Sequence, residues 1–483
     1  MSSKKNILFI LADQLRHDFC GCYGADFLST PNIDQLAADG VLYETVISPS
    51  PACVPARASI MTGRSALENR VTDNAKWLRP DHAQMGILTW PQQLATAGYH
   101  TAAIGKMHFY PWDISEGFQY RVIAEDKRHI DIQDDYTMYL KKRGYNRLHA
   151  NVHDGFFEHK GAIISKIPEE HQIDRYVCNE TCDYLDTLDG TKPFALMVGF
   201  PGPHCPYDPT QEVMDQMKLA PMIPSVPCTP ESEHFRPTSV FENGLSWNGV
   251  DLTVFTEAQK EKIRLHYAAL VQGIDEHVGT IIAKLKTLGI YDDTIILFSS
   301  DHGDYLGDFG MLGKGLFYES SCRIPLIVRH PEQEAMVVSH PVSLTDTYQT
   351  ILNFADFEVE DTDDSTVLAP FGKSLERSPI FGSIQNSWML RNDCYQYTIS
   401  ANGLEEFYDM CNDPTQQQNL IREQPFPAAA LEMRSELMKR VFTATHNGNS
   451  DNIAKVNNLN HSKGFDEFNY EGWQRPYPFA APK

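Results

Sequence analysis

Residues 6–12 read NILFILA and run directly into Asp13-Gln14, and this stretch indicates the fold class. The run has no polar alternation, which is typical of a strand buried on both faces of a parallel sheet. Further runs of this kind are HTAAIG at 100–105, PFALMVGF at 193–200, TIILFSS at 294–300 and RIPLIVR at 323–329. Segments of helical periodicity lie between them, at 31–40, 91–98 and 257–288. The alternation predicts an α/β fold with a large mixed, mostly parallel sheet sandwiched by helices.

Polar residues follow the predicted strands at the point where each strand ends. They are Asp13-Gln14, Lys106 with His108, His204, and Asp301-His302. In an open parallel sheet, the ligand site lies beyond the carboxyl ends of the strands. We therefore expect these side chains to meet in one crevice, despite their wide separation in the sequence.

The pattern changes after about residue 370, which predicts a catalytic domain over 1–370 and a smaller α+β domain over 371–483. Two strands of a small antiparallel sheet and a helix packed on it are expected there, at 387–399, 404–410 and 427–445. The last stretch, residues 468–483, is rich in aromatic residues and proline. Its aromatic side chains favour an arm docked on the body or on a neighbouring subunit of a homo-oligomer, and a loose tail is the alternative.

Composition excludes several classes of function. With 42% hydrophobic residues among 483, the chain can bury a large core. Its formal charge is -23 and no Lys/Arg-rich run stands out, which argues against a nucleic-acid or anionic-membrane partner. No run approaches the roughly 20 apolar residues that span a bilayer, and residues 7–12 lack the cleavage site of a signal peptide. We therefore expect a soluble, cytoplasmic protein whose ten cysteines are mostly reduced packing thiols.

The segment SPSPACVPARASIMTGR at 48–64 is the most specific signal in the chain. Pro55 suits the first turn of a helix, which puts Cys53 at the positive helix end, where backbone N–H groups meet an anion. Arg57 lies one turn further on and can reach back to the same point. A cysteine in this setting has a lowered pKa and is a reactive thiolate; the alternative is a buried structural cysteine.

Cys53-Val54-Pro55-Ala56-Arg57, with the following Thr-Gly-Arg, resembles the C-x-P-x-R motif of the sulfatases. Residues 105–108, GKMH, resemble the family's G-K-x-H element, and residues 22–46 and 408–420 resemble two further family segments. The resemblance covers nearly the whole chain and implies an alkaline-phosphatase-like fold. It also implies that a separate maturation enzyme converts Cys53 to formylglycine.

Oxygen ligands from Asp13, Gln14 and Asp301 suit a hard divalent ion. Taken alone, Asp13-Gln14 and Asp301-His302 are also compatible with turns or caps, and His302 could instead hydrogen-bond an anion. The resemblance makes these four residues, together with Cys53, the ligands of one divalent metal. Calcium is the first choice. Many relatives have Asp where this chain has Gln14, which lowers the anionic charge of the site and leaves magnesium or manganese as alternatives.

The resemblance also implies a set of catalytic and substrate-binding residues. The catalytic residues are Cys53, Arg57, Lys106, His108, His204 and Lys314, and the substrate-binding residues are Asn74, Lys106, His204 and Lys314. The lysines and Arg57 would bind the sulfuryl oxygens, and His204, helped by Lys314, would protonate the departing oxygen. His108 would take a proton from the second hydroxyl of hydrated formylglycine. Taken singly, surface lysines, a partly buried histidine and a turn at Asn74 are the alternatives.

The expected reaction is hydrolysis of a sulfate monoester, with a small alkyl or carbohydrate sulfate as substrate because Asp301-His302 resembles choline-sulfate and sugar-sulfate members. A phosphonate monoester or phosphodiester hydrolase of the same superfamily is the closest alternative. The GKMH element favours sulfate, since those relatives tend to lack its Lys and His. A non-catalytic anion-binding relative that is never matured at Cys53 is the second alternative. Residues 110–165 are expected to contribute to the alcohol pocket.

Overall fold

The computed structural model describes residues 4–148, 152–217, 222–239, 249–372, 377, 379–423 and 425–449. Its strands are β1 Asn6–Asp13, β2 Val41–Tyr43, β3 Val46–Ile47, β4 His100–Gly105, β5 Tyr120–Ile123, β6 Phe194–Pro203, β7 Thr294–Ser300, β8 Arg323–Ile324, β9 Leu326–Arg329, β10 Met336–Val338, β11 Val342–Ser343, β12 Ile380–Ile384, β13 Ser387–Arg391, β14 Tyr395–Ser400 and β15 Glu405–Asp409.

The helices are α1 Pro31–Ala38, α2 Cys53–Thr62, α3 Ala66–Asn69, α4 Trp90–Thr96, α5 Asp135–Lys142, α6 Ile173–Asp186, α7 Gln211–Gln216, α8 Pro230–Ser239, α9 Glu257–Thr287, α10 Glu319–Cys322, α11 Asp346–Phe354 and α12 Ala428–Asn449. Among the described residues, none of these helices is long and apolar enough to cross a membrane.

Eight strands form one mixed sheet in the order β10-β2-β9-β7-β1-β6-β4-β5. The five strands from β7 to β5 run parallel, so the strand ends that carry Asp13, Lys106 and Asp301 lie at one edge. The predicted run 323–329 breaks at Pro325 into β8 and β9, and β9 runs antiparallel to β7. The prediction of a large mixed, mostly parallel sheet is confirmed.

Helices cover both faces of the sheet, which explains the unbroken apolar run of β1. Leu8 and Ile10 belong to a buried cluster that includes residues of α6 and α9, whereas Phe9 and Leu11 belong to a second cluster with residues of α2, α4 and α11. Successive side chains of a strand point to opposite faces, so both sets must be apolar when both faces are covered.

A second sheet is formed by β12 to β15, an antiparallel meander, and α12 packs on it through Met433 and Leu437. The predicted antiparallel sheet and helix are confirmed, but the predicted strand at 387–399 is divided into β13 and β14, and β12 is an additional strand. Backbone hydrogen bonds join this sheet to the loops around α2: Ser383 N donates to Pro49 O (2.8 Å) and Gln385 N to Thr72 O (3.0 Å). The domain boundary at 370/371 stays a prediction, and the tail at 468–483 lies outside the described residues.

Candidate active site

The ends of β1 and β7 meet the start of α2 at one buried point. Asp13 ends β1, Asp301 and His302 follow β7, and Cys53 is the first residue of α2. One potential ligand atom from each of these four residues lies within 4.8 Å of all the others, and all four residues are fully buried. The crevice predicted from the strand ends therefore contains Cys53 as well as the two strand-end acids.

Helix α2 carries Cys53 to this point at its N-terminus. Its N-cap, Ala52, offers no side-chain acceptor, and Asn74 Oδ1 accepts a hydrogen bond from Val54 N at 3.1 Å instead. Every residue of α2 is buried. The helix is capped at its C-terminus by Gly63, whose φ of 65° lies in the left-handed region that glycine favours. Asn74, predicted to contact substrate, thus contacts the start of the nucleophile helix.

The His302 ring is oriented toward Cys53 by its own neighbour. His302 Nδ1 lies 2.9 Å from Gly303 O, and because a carbonyl only accepts, Nδ1 carries the proton. Nε2 then presents its lone pair 3.2 Å from Cys53 Sγ. Burial opposes a charged ring, but Asp301 and Cys53 together outweigh burial and raise the pKa of His302.

Cys53 is surrounded by charge. Its Sγ lies 3.8 Å from Asp13 Oδ1. Burial and the negative charge of Asp13 raise the pKa of the Cys53 thiol, but the positive charges around it, including Lys314, Lys106 and His302, together leave the pKa below its ordinary value. The sequence-based expectation of an activated residue 53 agrees with this environment.

Arg57 joins the two carboxylates rather than pointing at Cys53. Its Nε donates to Asp301 Oδ2 at 2.9 Å and its Nη2 to Asp13 Oδ2 at 3.0 Å. Its Nη1 donates to the backbone oxygen of Lys106 at 2.5 Å. Its guanidinium, expected to bind sulfuryl oxygens, is therefore engaged in holding Asp13 and Asp301 in fixed positions, with a geometry that lysine cannot reproduce.

Lys106 is fully buried between two carboxylates. Its Nζ lies 2.6 Å from Asp13 Oδ2 and 2.7 Å from Asp126 Oδ2. Burial alone would lower the pKa of Lys106, but Asp126 and Asp13 outweigh burial and raise it, so the side chain stays cationic. The same two positive side chains, Lys106 and Arg57, help to hold the pKa of Asp13 at about 2 although burial raises it.

Asp126 is a site residue that the sequence did not reveal. Besides Lys106, it binds Arg128 through both oxygens, at 2.8 and 2.7 Å, and its Oδ2 lies 3.9 Å from His204 Nε2. It follows β5, which is only four residues long and ends at the same sheet edge as β4. A strand this short carries no recognisable apolar run, so the strand-end rule that found Asp13 could not be applied to it.

His204 and Lys314 meet directly. His204 Nδ1 lies 2.6 Å from Cys205 O and therefore carries the ring proton, and Lys314 Nζ donates to His204 Nε2 at 2.9 Å. Burial, followed by the positive charge of Lys314, lowers the pKa of His204 well below its ordinary value. Lys314 also donates to Gln14 Oε1 at 2.5 Å, while Gln14 Nε2 donates to Asp304, a second acid absent from the sequence-based set.

His108 lies beside this network, with its ring packed near those of Tyr110 and His129. Its backbone N donates to Glu125 Oε1 at 3.1 Å, and its φ is 61°. Its Nδ1 is buried and has no hydrogen-bond partner among the described residues. Burial and the positive charge of Lys106 lower the pKa of His108 well below its ordinary value, so the ring is neutral near pH 7 and is able to accept a proton.

The cluster fits a divalent cation. Asp13 and Asp301 supply carboxylate oxygens, His302 supplies an imidazole nitrogen with its lone pair directed inward, and the four donor atoms lie close enough to share one ion. The second carboxylate oxygens of Asp13 and Asp301 are held by Arg57, as ligating carboxylates in metal sites are generally held by outer hydrogen bonds.

Fold and site together define a hydrolase of anionic esters built on a mostly parallel α/β sheet. A family model named Sulfatase matches residues 5–357, and the chain belongs to this family. It is a type I sulfatase of the alkaline phosphatase superfamily, and hence a sulfuric ester hydrolase.

Two curated relatives illustrate the range of the family. An arylsulfatase from Clostridium perfringens is 28% identical over 91% of this chain and 94% of its own length. A choline-sulfatase from Rhizobium meliloti is 30% identical over 87% of this chain and 83% of its own length. Among solved structures, a phosphonate monoester hydrolase of Agrobacterium radiobacter has a TM-score of 0.79 at 22% identity, covering 91% of this chain and 96% of its own. At that identity the structural likeness concerns the fold.

Proposed function

We propose that the protein hydrolyses a small alkyl or carbohydrate sulfate monoester, using formylglycine formed from Cys53 and one divalent metal. The observation that carries this proposal is the position of Cys53, which begins α2 within a buried cluster of two carboxylates and an imidazole. A helix start facing a cation site suits the binding of a sulfate ester, which is anionic.

Asp13, Asp301, His302 and residue 53 would hold the metal, with Gln14 as a further ligand once Lys314 turns to the substrate. Calcium is proposed first, because most of these ligands are hard oxygen donors, and magnesium or manganese are the alternatives. When bound, the ion would neutralise charge on the sulfuryl oxygens and favour attack at sulfur.

Formylglycine at position 53 would supply a hydrated aldehyde. One of its hydroxyls would attack sulfur and give its proton to Asp301 or another carboxylate of the cluster. The other hydroxyl would allow the sulfated residue to break down without attack by water. A separate maturation enzyme is the implied partner. His108 is proposed to accept the proton of the second hydroxyl, because its ring is neutral and its buried Nδ1 has no other partner among the described residues.

His204 is proposed to protonate the departing oxygen. Its Nδ1 proton is committed to Cys205 O, so Nε2 is the atom that exchanges a proton with the leaving group. Lys314, half-buried and 2.9 Å from that nitrogen, would bind a sulfuryl oxygen and replenish the proton. Lys106 and Arg57 would act by fixing the acids around them.

Replacing Cys53 tests this chemistry. Cys53→Ala should abolish turnover, and Cys53→Ser should allow at most one slow sulfation, because a serine ester lacks the second hydroxyl. In the wild-type protein, the mass of the peptide spanning residue 53 should fall by about 18 Da on conversion of the thiol to an aldehyde. Normal turnover by Cys53→Ala would contradict the proposal, and an unchanged peptide mass in the native host would favour the non-catalytic alternative.

A phosphonate monoester or phosphodiester hydrolase is the second candidate function, favoured by the fold of the Agrobacterium radiobacter enzyme. Lys106 and His108 favour sulfate. Hydrolysis of an aryl sulfate and an aryl phosphonate, measured on one preparation, separates the two. A panel of choline sulfate and sulfated sugars then tests the substrate class, which is proposed from the choline-sulfatase relative and from a similar protein solved with D-glucosamine-2-N,6-O-disulfate. Cytoplasmic location and oligomerisation through residues 468–483 remain predictions.

A further inference from the structure

Two exposed cysteines lie near each other at the open end of the β14–β15 hairpin. Tyr395 pairs with Asp409 in the antiparallel register, and one step outward Met410 N donates to Cys394 O at 2.8 Å. Cys411 is the next residue, and its Sγ lies 3.6 Å from Asp393 O. Cys394 therefore lies opposite the residue that precedes Cys411, and both cysteines are exposed.

The backbone fixes both cysteines in place. Asn392 Oδ1 accepts from Cys394 N at 3.0 Å, and Asp409 Oδ1 accepts from Cys411 N at 3.0 Å. Each cysteine therefore sits at the end of an Asx turn, which limits its backbone freedom. The neighbouring Cys411 side chain raises the pKa of Cys394.

A second thiol pair provides a comparison. Cys178 and Cys182 are also neighbours, one turn apart on α6, but Cys178 is buried. An oxidant cannot reach a buried sulfur, and disulfide exchange requires access to it. Cys394 and Cys411, by contrast, are neighbours whose backbone positions are fixed and whose side chains are exposed.

We propose that Cys394 and Cys411 form a reversible disulfide by exchange with a small disulfide such as oxidised glutathione. One deprotonated thiol attacks a glutathione sulfur, forming a mixed disulfide and releasing one glutathione thiolate. The other thiol, once deprotonated, attacks the protein sulfur of that mixed disulfide, closing the Cys394–Cys411 bond and releasing the second glutathione. Two electrons pass from the protein thiols to glutathione, and the protons leave to solvent or to the released thiolates.

The bond would cross-link a sheet that supports the loop of Lys314. Gln396, on β14, donates to Phe317 O at 2.6 Å, three residues from Lys314, and Gln416, beyond β15, accepts from Glu319 N at 2.8 Å. Closing the hairpin restricts the unfolded chain, so oxidation should slow thermal loss of activity. Activity before heating should be unchanged, because neither cysteine contacts the cluster around Cys53.

The test uses full-length protein carrying Cys228→Ser, which removes the third exposed cysteine. After treatment with oxidised glutathione, we expect loss of about 2 Da, reversed by dithiothreitol, and a cross-linked peptide joining residues 394 and 411. Adding Cys394→Ser or Cys411→Ser should instead leave one glutathione adduct of about 305 Da, because the resolving thiol is missing. These variants should lose the protection against heat.

Stable adducts on both cysteines of the parent protein would overturn the proposal, since they would show that the thiols cannot resolve each other. A cross-link between residues 178 and 182 in place of 394 and 411 would also overturn it, as would no reaction at either exposed thiol. Cys178→Ser in the same Cys228→Ser protein serves as the matched control. This variant should form the 394–411 disulfide as readily as the parent protein does.

Discussion

Asp126 shows how single residues of the site depend on one another. Its carboxylate binds Lys106 and Arg128 and faces His204, all within a buried environment. Burial raises the pKa of Asp126, but Arg128 and Lys106 outweigh burial and hold it well below its ordinary value, so the group is anionic. The negative charge of Asp126 holds Lys106 in one orientation. It also favours protonation of His204 at Nε2, whereas the positive charge of Lys314 opposes that protonation.

Asp126→Asn should therefore reduce turnover most for substrates whose leaving group needs protonation. We expect kcat to fall about 100-fold with an alkyl sulfate and about 10-fold with 4-nitrophenyl sulfate, whose phenolate leaves without help. Steady-state rates with both substrates on one preparation provide the measurement. Equal losses for the two substrates would limit Asp126 to a structural role. Asp208→Asn, which removes the partner of Lys127 in the adjoining segment, is the control and should affect both substrates alike.

At this scale, the sequence was informative about which residues take part and less so about their partners. Asp13, Cys53 and Asp301 were predicted because each sits at a recognisable strand end or helix start. The position of Arg57 across both carboxylates could not be predicted, because it depends on where three separated segments lie relative to one another. The same limit applies to Asp126 and to the hydrogen bond between Asn74 and Val54.

Among the secondary-structure elements, α2 is the one on which the site depends most directly. The N-cap residue of α2 offers no side-chain acceptor, and the side chain of Asn74 accepts the hydrogen bond from Val54 N instead. Removing a helix cap generally costs about 1 kcal/mol, because a backbone N–H loses its acceptor.

Asn74→Ala should lower the free energy of unfolding by about 1 kcal/mol, whereas Asn74→Asp should keep it, because a carboxylate also accepts from Val54 N and suits the positive helix end. Chemical unfolding of the three proteins measures the difference. If Asn74 contacts substrate as well, Asn74→Asp should raise KM without loss of stability. Equal stability of the alanine variant and the wild type would show that the Asn74 bond does not stabilise α2.

The C-terminal sheet contains a buried acid, Glu406 on β15, that should make stability depend on pH. Burial raises the pKa of Glu406 from its ordinary value of 4.5 to about 7, although the hydroxyls of Tyr408 and Tyr318 donate to it and oppose the rise. Between these pH values, the folded state keeps a proton that the unfolded state has released. The contribution of Glu406 to the free energy of unfolding is therefore fully present below pH 4.5 and is lost as pH rises through about 7.

Glu406→Gln removes this titration. Relative to the variant, the wild type should lose about 2 to 3 kcal/mol of unfolding free energy between pH 5 and pH 8. Denaturant titrations of both proteins at the two pH values provide the comparison. Because all other groups titrate in both proteins, a pH-independent difference would mean that Glu406 ionises normally in the folded state.

Elements were predictable in proportion to their length and burial. Strands β1, β4, β6 and β7 are almost entirely buried runs of six to ten residues, and all were found. β5 and β12 were missed because their four and five residues carry no such run. The antiparallel direction of β9 also escaped prediction, because a run buried on both faces looks the same in either direction.

For the whole molecule, the fold was predictable because strand ends, helix starts and family motifs indicate the same edge of the same sheet. The cluster at that edge joins β1, β7 and α2, elements from the centre of the protein. The two carboxylates proposed to bind the metal are already compensated by Arg57 and Lys106, so the protein does not depend on a metal to neutralise them. A bound ion should therefore add stability to a chain that is folded without it.

Chelation should accordingly lower the thermal midpoint without unfolding the protein at 25 °C. Restoring calcium at 100 times its dissociation constant should add about 2.7 kcal/mol of unfolding free energy, since only the folded state brings Asp13, Asp301 and His302 together. Thermal scans with calcium, magnesium and manganese measure the order of preference, with calcium expected first. The His302→Ala variant lacks one proposed ligand but leaves no charged group unpaired. It should therefore fold, and its thermal midpoint should respond only weakly to the added ions. A midpoint that none of the three ions changes in the wild type would exclude a divalent site in this cluster.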